Sequence, residues 1–146
     1  MKASCVPRIS VQDRQRKNRV DRAALEQFAI RALRLCLRQR GRGSGLTSLE
    51  QIDVLLISDR RMSELHQKFM GITGPTDVIT FQHGEIFIST ETARRQARVH
   101  RSSIANELRL YLVHGLLHLH GFDDHVPVEA RKMQAAQQKI VVLAKN

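Results

Sequence analysis

Leu25, Phe28, Ala29, Ala32 and Cys36 recur at three- and four-residue steps, which predicts a helix over about residues 22–40 with one buried face. Asp21 stands just before it as the expected N-cap. Ile9 and Val11, further upstream, suggest a short strand, and Arg14, Arg16, Lys17 and Arg19 a basic loop after it. The period then changes. Ile52-Asp53-Val54-Leu55-Leu56-Ile57 is almost continuously apolar, the mark of a mostly buried strand. Ser58 or Asp59 is placed to cap a short helix carrying Met62, Leu65 and Phe69. Val78-Ile79-Thr80-Phe81 and Glu85-Ile86-Phe87-Ile88 flank Gln82-His83-Gly84 and predict paired strands. From Thr90 onward the pattern is helical. A polar, exposed helix reaches His100, and a longer one from Ser103 to His120 is apolar nearly all round, which assigns it to the core. Gly121 suits its C-terminal stop, and Pro127 and Glu129 open an amphipathic helix that runs to Lys145. Strands and helices without strict β-α alternation predict an α+β fold. The expectation is a single small domain over residues 1–146, its mixed four-stranded sheet packed with helices.

Composition narrows the function classes. The 146 residues carry a formal charge of +10, which favours polyanionic partners. Trp is absent and there is one Tyr, so a surface built on many stacking aromatics is not expected. No stretch approaches the ~20 apolar residues of a membrane span. The opening Met1 to Pro7 has no apolar core of a secretory signal, so a cytoplasmic protein is expected. Cys5 and Cys36 are too few and too scattered for a disulfide framework and read as free thiols. Arg31, Arg34, Arg38 and Arg42 form a basic stripe on the first helix, either a solvated face or a rail for phosphates. Gly41 to Gly45 reads as a connector, since no lysine-serine or lysine-threonine pair follows it as in a phosphate loop.

The strongest chemical signal is the run His114-Gly115-Leu116-Leu117-His118-Leu119-His120-Gly121-Phe122-Asp123-Asp124-His125. Residues four apart share a helix face, so His114 and His118 can grip one metal ion. Gly121 turns the chain, so that a residue just beyond it can return as a third ligand. Three protein ligands and one open position describe a catalytic zinc site. His120 points to another face and is expected to be no ligand. Proteases with a similar histidine frame carry Glu after the first histidine; Gly115 stands there instead. Glu107, two turns before His114, is placed either to orient a ligand or to pair with an arginine such as Arg109.

The same run resembles the signature of the YbeY family of bacterial rRNA-maturation endoribonucleases. Pro75-Thr76-Asp77-Val78-Ile79-Thr80-Phe81 and Gly84-Glu85-Ile86-Phe87-Ile88-Ser89 are similar to two further segments of that family, and Glu107 matches an acidic residue before the histidines. The resemblance covers residues 52–125. It implies one zinc ion per chain, held by three histidines in a cleft beside a buried central helix. It further implies cleavage of single-stranded RNA, maturation of the small-subunit rRNA 3′ end, and ribosome quality control. Ribosomal RNA and the small subunit with its proteins would be the partners, with Arg31, Arg34 and Arg38 guiding the RNA.

Two positions depart from the family pattern. The family's third histidine lies ten residues after the first, where this chain has Asp124, and a histidine follows as His125. His125 is the expected third ligand and Asp124 the alternative. The family's arginine after an aromatic residue is replaced by Met70, after Phe69. That substitution keeps open a second reading, a non-catalytic ribosome-assembly factor with a structural zinc site.

Overall fold

The computed structural model describes residues 6–41 and 45–145; Cys5 and Arg42 lie outside them. Strands β1 (Arg8–Asp13), β2 (Gln51–Ile57), β3 (Val78–Phe81) and β4 (Glu85–Ser89) form one sheet in the order β1-β2-β4-β3. The first three in that order run parallel, and β3 lies antiparallel to β4 at the edge. β2 is therefore central, which accounts for its near-continuous apolar run.

Alternation along the strands divides the side chains between two faces. Val54, Leu56, Ile86 and Ile88 face the helices α1 (Arg22–Leu37) and α4 (Ile104–Leu119), with α5 (Pro127–Ala144) packed over those helices. Leu55, Ile57 and Ile79 face the helix α2 (Asp59–Met70) through Met62 and Leu65. Helix α3 (Thr90–Val99) follows β4 and packs on α4. On α4, Leu108, Leu112, Val113, Leu116 and Leu117 are at most 1% exposed. Each such side chain stabilises the fold by roughly 1.5–3 kcal/mol, so α4 is the main hydrophobic axis of the molecule.

Local signals act as the sequence predicts at most ends. Asp21 Oδ1 accepts from the Ala24 N–H at 3.0 Å, and Ser58 Oγ from the Arg61 N–H at 3.2 Å. Asp59 has a different task from the capping suggested for it. Its carboxylate accepts from Ser89 Oγ at 2.6 Å, Thr92 Oγ1 at 2.7 Å and Arg95 Nη1 at 2.5 Å, tying α2 to the β4–α3 junction. Helix α1 ends at Leu37, short of residue 40, because the chain beyond is drawn into a tertiary contact. His120 is buried there: its Nε2 donates to the Gln39 carbonyl at 2.8 Å, and its Nδ1 accepts from the Leu46 N–H at 3.3 Å. That histidine clamps the connector between α1 and β2. Cys36 is fully buried, and burial pushes its thiol up to about 12, an inert core residue.

The Asp59 cluster sets an acid limit on stability. Burial alone would raise its pKa, but the hydrogen bonds from Arg95, Ser89 and Thr92 outweigh it and hold the carboxyl below its ordinary value. A carboxyl depressed in the folded state contributes stability above its unfolded pKa, and loses it as pH falls through the folded value. Asp59→Asn is therefore expected to cost about 1–3 kcal/mol near neutrality. In urea titrations across pH, that deficit is expected to shrink below about pH 4. A deficit constant down to the lowest pH would show that the charge has no part in it.

Candidate metal centre

Helix α4 stops as its sequence predicts, and the way it stops builds the site. Gly121 adopts φ +95°, and the Phe122 N–H returns to the Leu117 carbonyl at 2.9 Å while the Gly121 N–H reaches the His118 carbonyl at 3.0 Å. This pair of bonds is a Schellman turn, which needs the left-handed residue that glycine supplies. The reversal brings the Phe122 carbonyl to His118 Nδ1, 3.1 Å away, and carries Asp124 back over the end of the helix.

His114 and His118 lie one turn apart, as their spacing requires, with their rings edge to face and their Nε2 atoms 3.0 Å apart. The second nitrogen of each ring is occupied. His118 Nδ1 faces the Phe122 carbonyl, and His114 Nδ1 lies 2.7 Å from Oε1 of Gln137 on α5. Both partners accept, so each Nδ1 carries the hydrogen and each Nε2 presents a lone pair. Burial, and then the neighbouring His114 ring, hold His118 below the ordinary histidine value, which favours the neutral ring. Two lone pairs facing each other at 3.0 Å repel unless a cation lies between them.

Asp124 Oδ2 completes the group, 3.8 Å from the Nε2 of both histidines. One ligand atom from each of the three lies within 4.8 Å of the others. Two imidazoles and a carboxylate, each outer imidazole nitrogen fixed by an acceptor, fit a divalent ion of zinc's type. The cluster is partly open: His114 and His118 side chains are 28% and 26% exposed, leaving room for a further ligand.

His125 is elsewhere. Its side chain is 85% exposed and its Nδ1 pairs with Asp123, whose hydrogen bond and charge raise the imidazole above its ordinary value. The turn after Gly121 carries Asp124 to the two histidines, while the His125 ring groups with Asp123 and Asp124 on the exposed side. His120 faces the connector, as its position off the histidine face implied. Glu107 takes neither suggested role: it is buried, with Oε1 2.9 Å from His100 Nδ1, while Arg109 lies over the Phe28 ring at 5.6 Å. Gln137 was not foreseen, and its only sequence signal is a polar residue flanked by the apolar Ala136 on α5.

The predicted basic stripe is divided. Arg31 donates from Nε to the Ala144 carbonyl at 2.7 Å, holding the end of α5, while Arg34 and Arg38 are exposed. Phe69 and Met70 end α2 and are 55% and 49% exposed, with Lys68 Nζ 5.4 Å from the Phe69 ring centre.

Comparison with known proteins decides the family. The family model of endoribonuclease YbeY matches residues 10–144. The chain belongs to that family. An endoribonuclease YbeY of Anaeromyxobacter sp. is 37% identical over 100 residues, covering 62% of this chain and 52% of the relative. One of Gluconobacter oxydans is 35% identical over 117 residues, covering 76% and 69%. The chain thus spans about half the length of the Anaeromyxobacter YbeY relative and 62% of one from Frankia alni. A solution structure from Thermotoga maritima shares the YbeY chain's fold, with a TM-score of 0.65 at 24% identity over 93% of this chain and 88% of the other. Among the described residues no helix is long and apolar enough to cross a membrane.

Proposed function

We propose that this protein is a zinc-dependent endoribonuclease that cleaves single-stranded RNA in ribosomal RNA maturation, at the small-subunit 3′ end, and in ribosome quality control. It would act in the cytoplasm on ribosomal RNA, with the small subunit and its proteins as partners. The observation that carries this reading is the convergence of two imidazole lone pairs and a carboxylate in a chain of the endoribonuclease YbeY family. The formal charge of +10 supports an RNA substrate independently, since cation–phosphate contacts supply most non-specific affinity.

In this reading His114, His118 and Asp124 hold one ion per chain, with Asp124 taking the place expected of His125. Gln137 and the Phe122 carbonyl keep the rings oriented and their Nε2 atoms free of hydrogen. Bound zinc supplies Lewis acidity to the phosphoryl oxygens of the substrate. Arg34 and Arg38 offer exposed guanidinium groups to the RNA backbone, and Arg31 adds its charge beside them. Chelator competition tests the ligand set: Asp124→Ala is expected to weaken metal binding more than His125→Ala. The reverse order would return the third position to His125.

A second reading, a ribosome-assembly factor with a structural zinc clasp, is favoured by Met70, an uncharged residue where the family pattern has arginine. The deciding experiment is cleavage of an unprocessed small-subunit 3′ end by wild type and by His114→Ala purified identically. Activity in wild type alone supports the nuclease. Equal activity, or none in either, favours the assembly factor.

A further inference from the structure

At the opposite end of α4 from the histidines, a cleft of about 400 Å³ opens between the loop after β1 and helix α3. Lys17 and Arg19 come to it from the loop, and Arg94 and Arg98 from successive turns of α3. Asn18 and Ser102 also line it, and among the described residues no carboxylate does. All four cations are exposed. Arg94 Nη1 donates to Asn18 Oδ1 at 3.2 Å, which fixes the loop against α3.

Several other arginines of this protein lie against a carboxylate. Arg22 reaches Glu26 at 3.1 Å, Arg61 reaches Glu64 at 3.0 Å, and Arg95 reaches Asp59 at 2.5 Å. Four cations gathered without a carboxylate repel one another. The group complementary to them is an anion.

The backbone beside the cleft carries an independent oddity. Helix α3 ends in a Schellman turn, with the Ser102 N–H on the Ala97 carbonyl at 2.8 Å. Its left-handed position, φ +52°, is occupied by Arg101 instead of the glycine that such a position favours. A further cation is thus kept next to Ser102 at a cost in backbone strain.

We propose that this cleft is a second phosphate site, holding the backbone of the same RNA strand that reaches the histidines. The proposal rests on the RNA reading given above. Ile104, which lines the cleft, and His114 are ten residues apart on α4, about 15 Å along the helix axis. A strand of a few nucleotides is long enough to span both. Arg94 and Arg98 supply planar forks for non-bridging phosphate oxygens, and Asn18 and Ser102 supply neutral donors.

The test is the salt dependence of binding to 2′-O-methyl polyuridylate, which resists scission, by the zinc-loaded protein. The Arg94→Gln/Arg98→Gln variant is compared with wild type and with Lys139→Gln/Lys145→Gln, a pair of equal charge on α5 and at its C-cap. Loss of two phosphate contacts is expected to flatten the slope of log K against log salt by about 1.4, with at least about tenfold weaker binding at low salt. The α5 pair is expected to leave the slope unchanged.

Equal slopes for wild type and the Arg94/Arg98 variant overturn the proposal. If the His114-dependent cleavage assay is positive in that case, the nuclease reading survives and only the cleft is lost. A wild type that binds no polyuridylate overturns both. Thermal stabilisation by inorganic phosphate that depends on Arg94 and Arg98, with the RNA slope unchanged, would assign the cleft to a small anion and overturn the RNA assignment.

Discussion

Replacing His118 by alanine is expected to leave a folded protein that no longer holds its metal. The ring is 26% exposed and lies on the open side of α4, so its removal opens no cavity among the core leucines. What it removes is one of two converging nitrogen donors. Losing an outer partner that orients a ligand costs metal affinity roughly 10–100-fold. Losing the ligand itself exceeds that, so His118→Ala is expected to fall below Gln137→Leu, which leaves both Nε2 atoms in place but frees the His114 ring. Metal content after passage over a competing chelator ranks the two. A full equivalent retained by His118→Ala would sink the site.

The second large effect is expected at Gly115, between the two histidines. A Cβ built there would stand 2.8 Å from Ile86 Cγ2, and 3.2 Å from both Ile86 Cδ1 and Thr80 Cγ2. Glycine therefore permits α4 to lie directly on β4 and β3. Alanine gains about 1 kcal/mol in helix propensity. Against that, Ile86 is β-branched and fully buried, so its Cγ2 has no free rotamer to move into. Overpacking of this kind costs about 1–3 kcal/mol, and a net loss is expected in urea unfolding of Gly115→Ala. Because α4 must lift from the sheet, metal affinity is expected to fall with it. Gly115→Glu, the residue of the protease frame, would add a buried carboxylate without a partner and is expected not to fold stably. A Gly115→Ala protein more stable than wild type would show that α4 has slack against the sheet. The same contacts leave no room at that position for the general base of the protease frame, because the sheet fills it.

The contrast between Asp124 and His125 shows where reading from the sequence ends. His114 and His118 share a face because helical periodicity operates over four residues, and no distant group can alter it. Beyond Gly121 the chain has left the helix, and one residue of register decides which side chain returns. The resemblance implied three histidines, and an all-imidazole site suits zinc, yet the group that lies near both rings is the Asp124 carboxylate. Glu107 is a similar case: helical spacing set it on the histidine stripe, but its partner, His100, comes from the end of α3.

The sequence by itself determined the element types, the buried axis of α4, its glycine stop, the histidine pair and the excess of positive charge. Each of these depends on periodicity, capping or composition, which act within a few residues or over the whole chain at once. The tertiary structure decided the β1-β2-β4-β3 order, Asp124 as the near carboxylate, Gln137 as the partner of His114 and His120 as a clamp on the connector. It also decided that Lys17 and Arg19 meet Arg94 and Arg98 across more than seventy residues. Such pairings arise because close packing lets distant segments meet only where their shapes allow, and that fit is a property of the assembled chain.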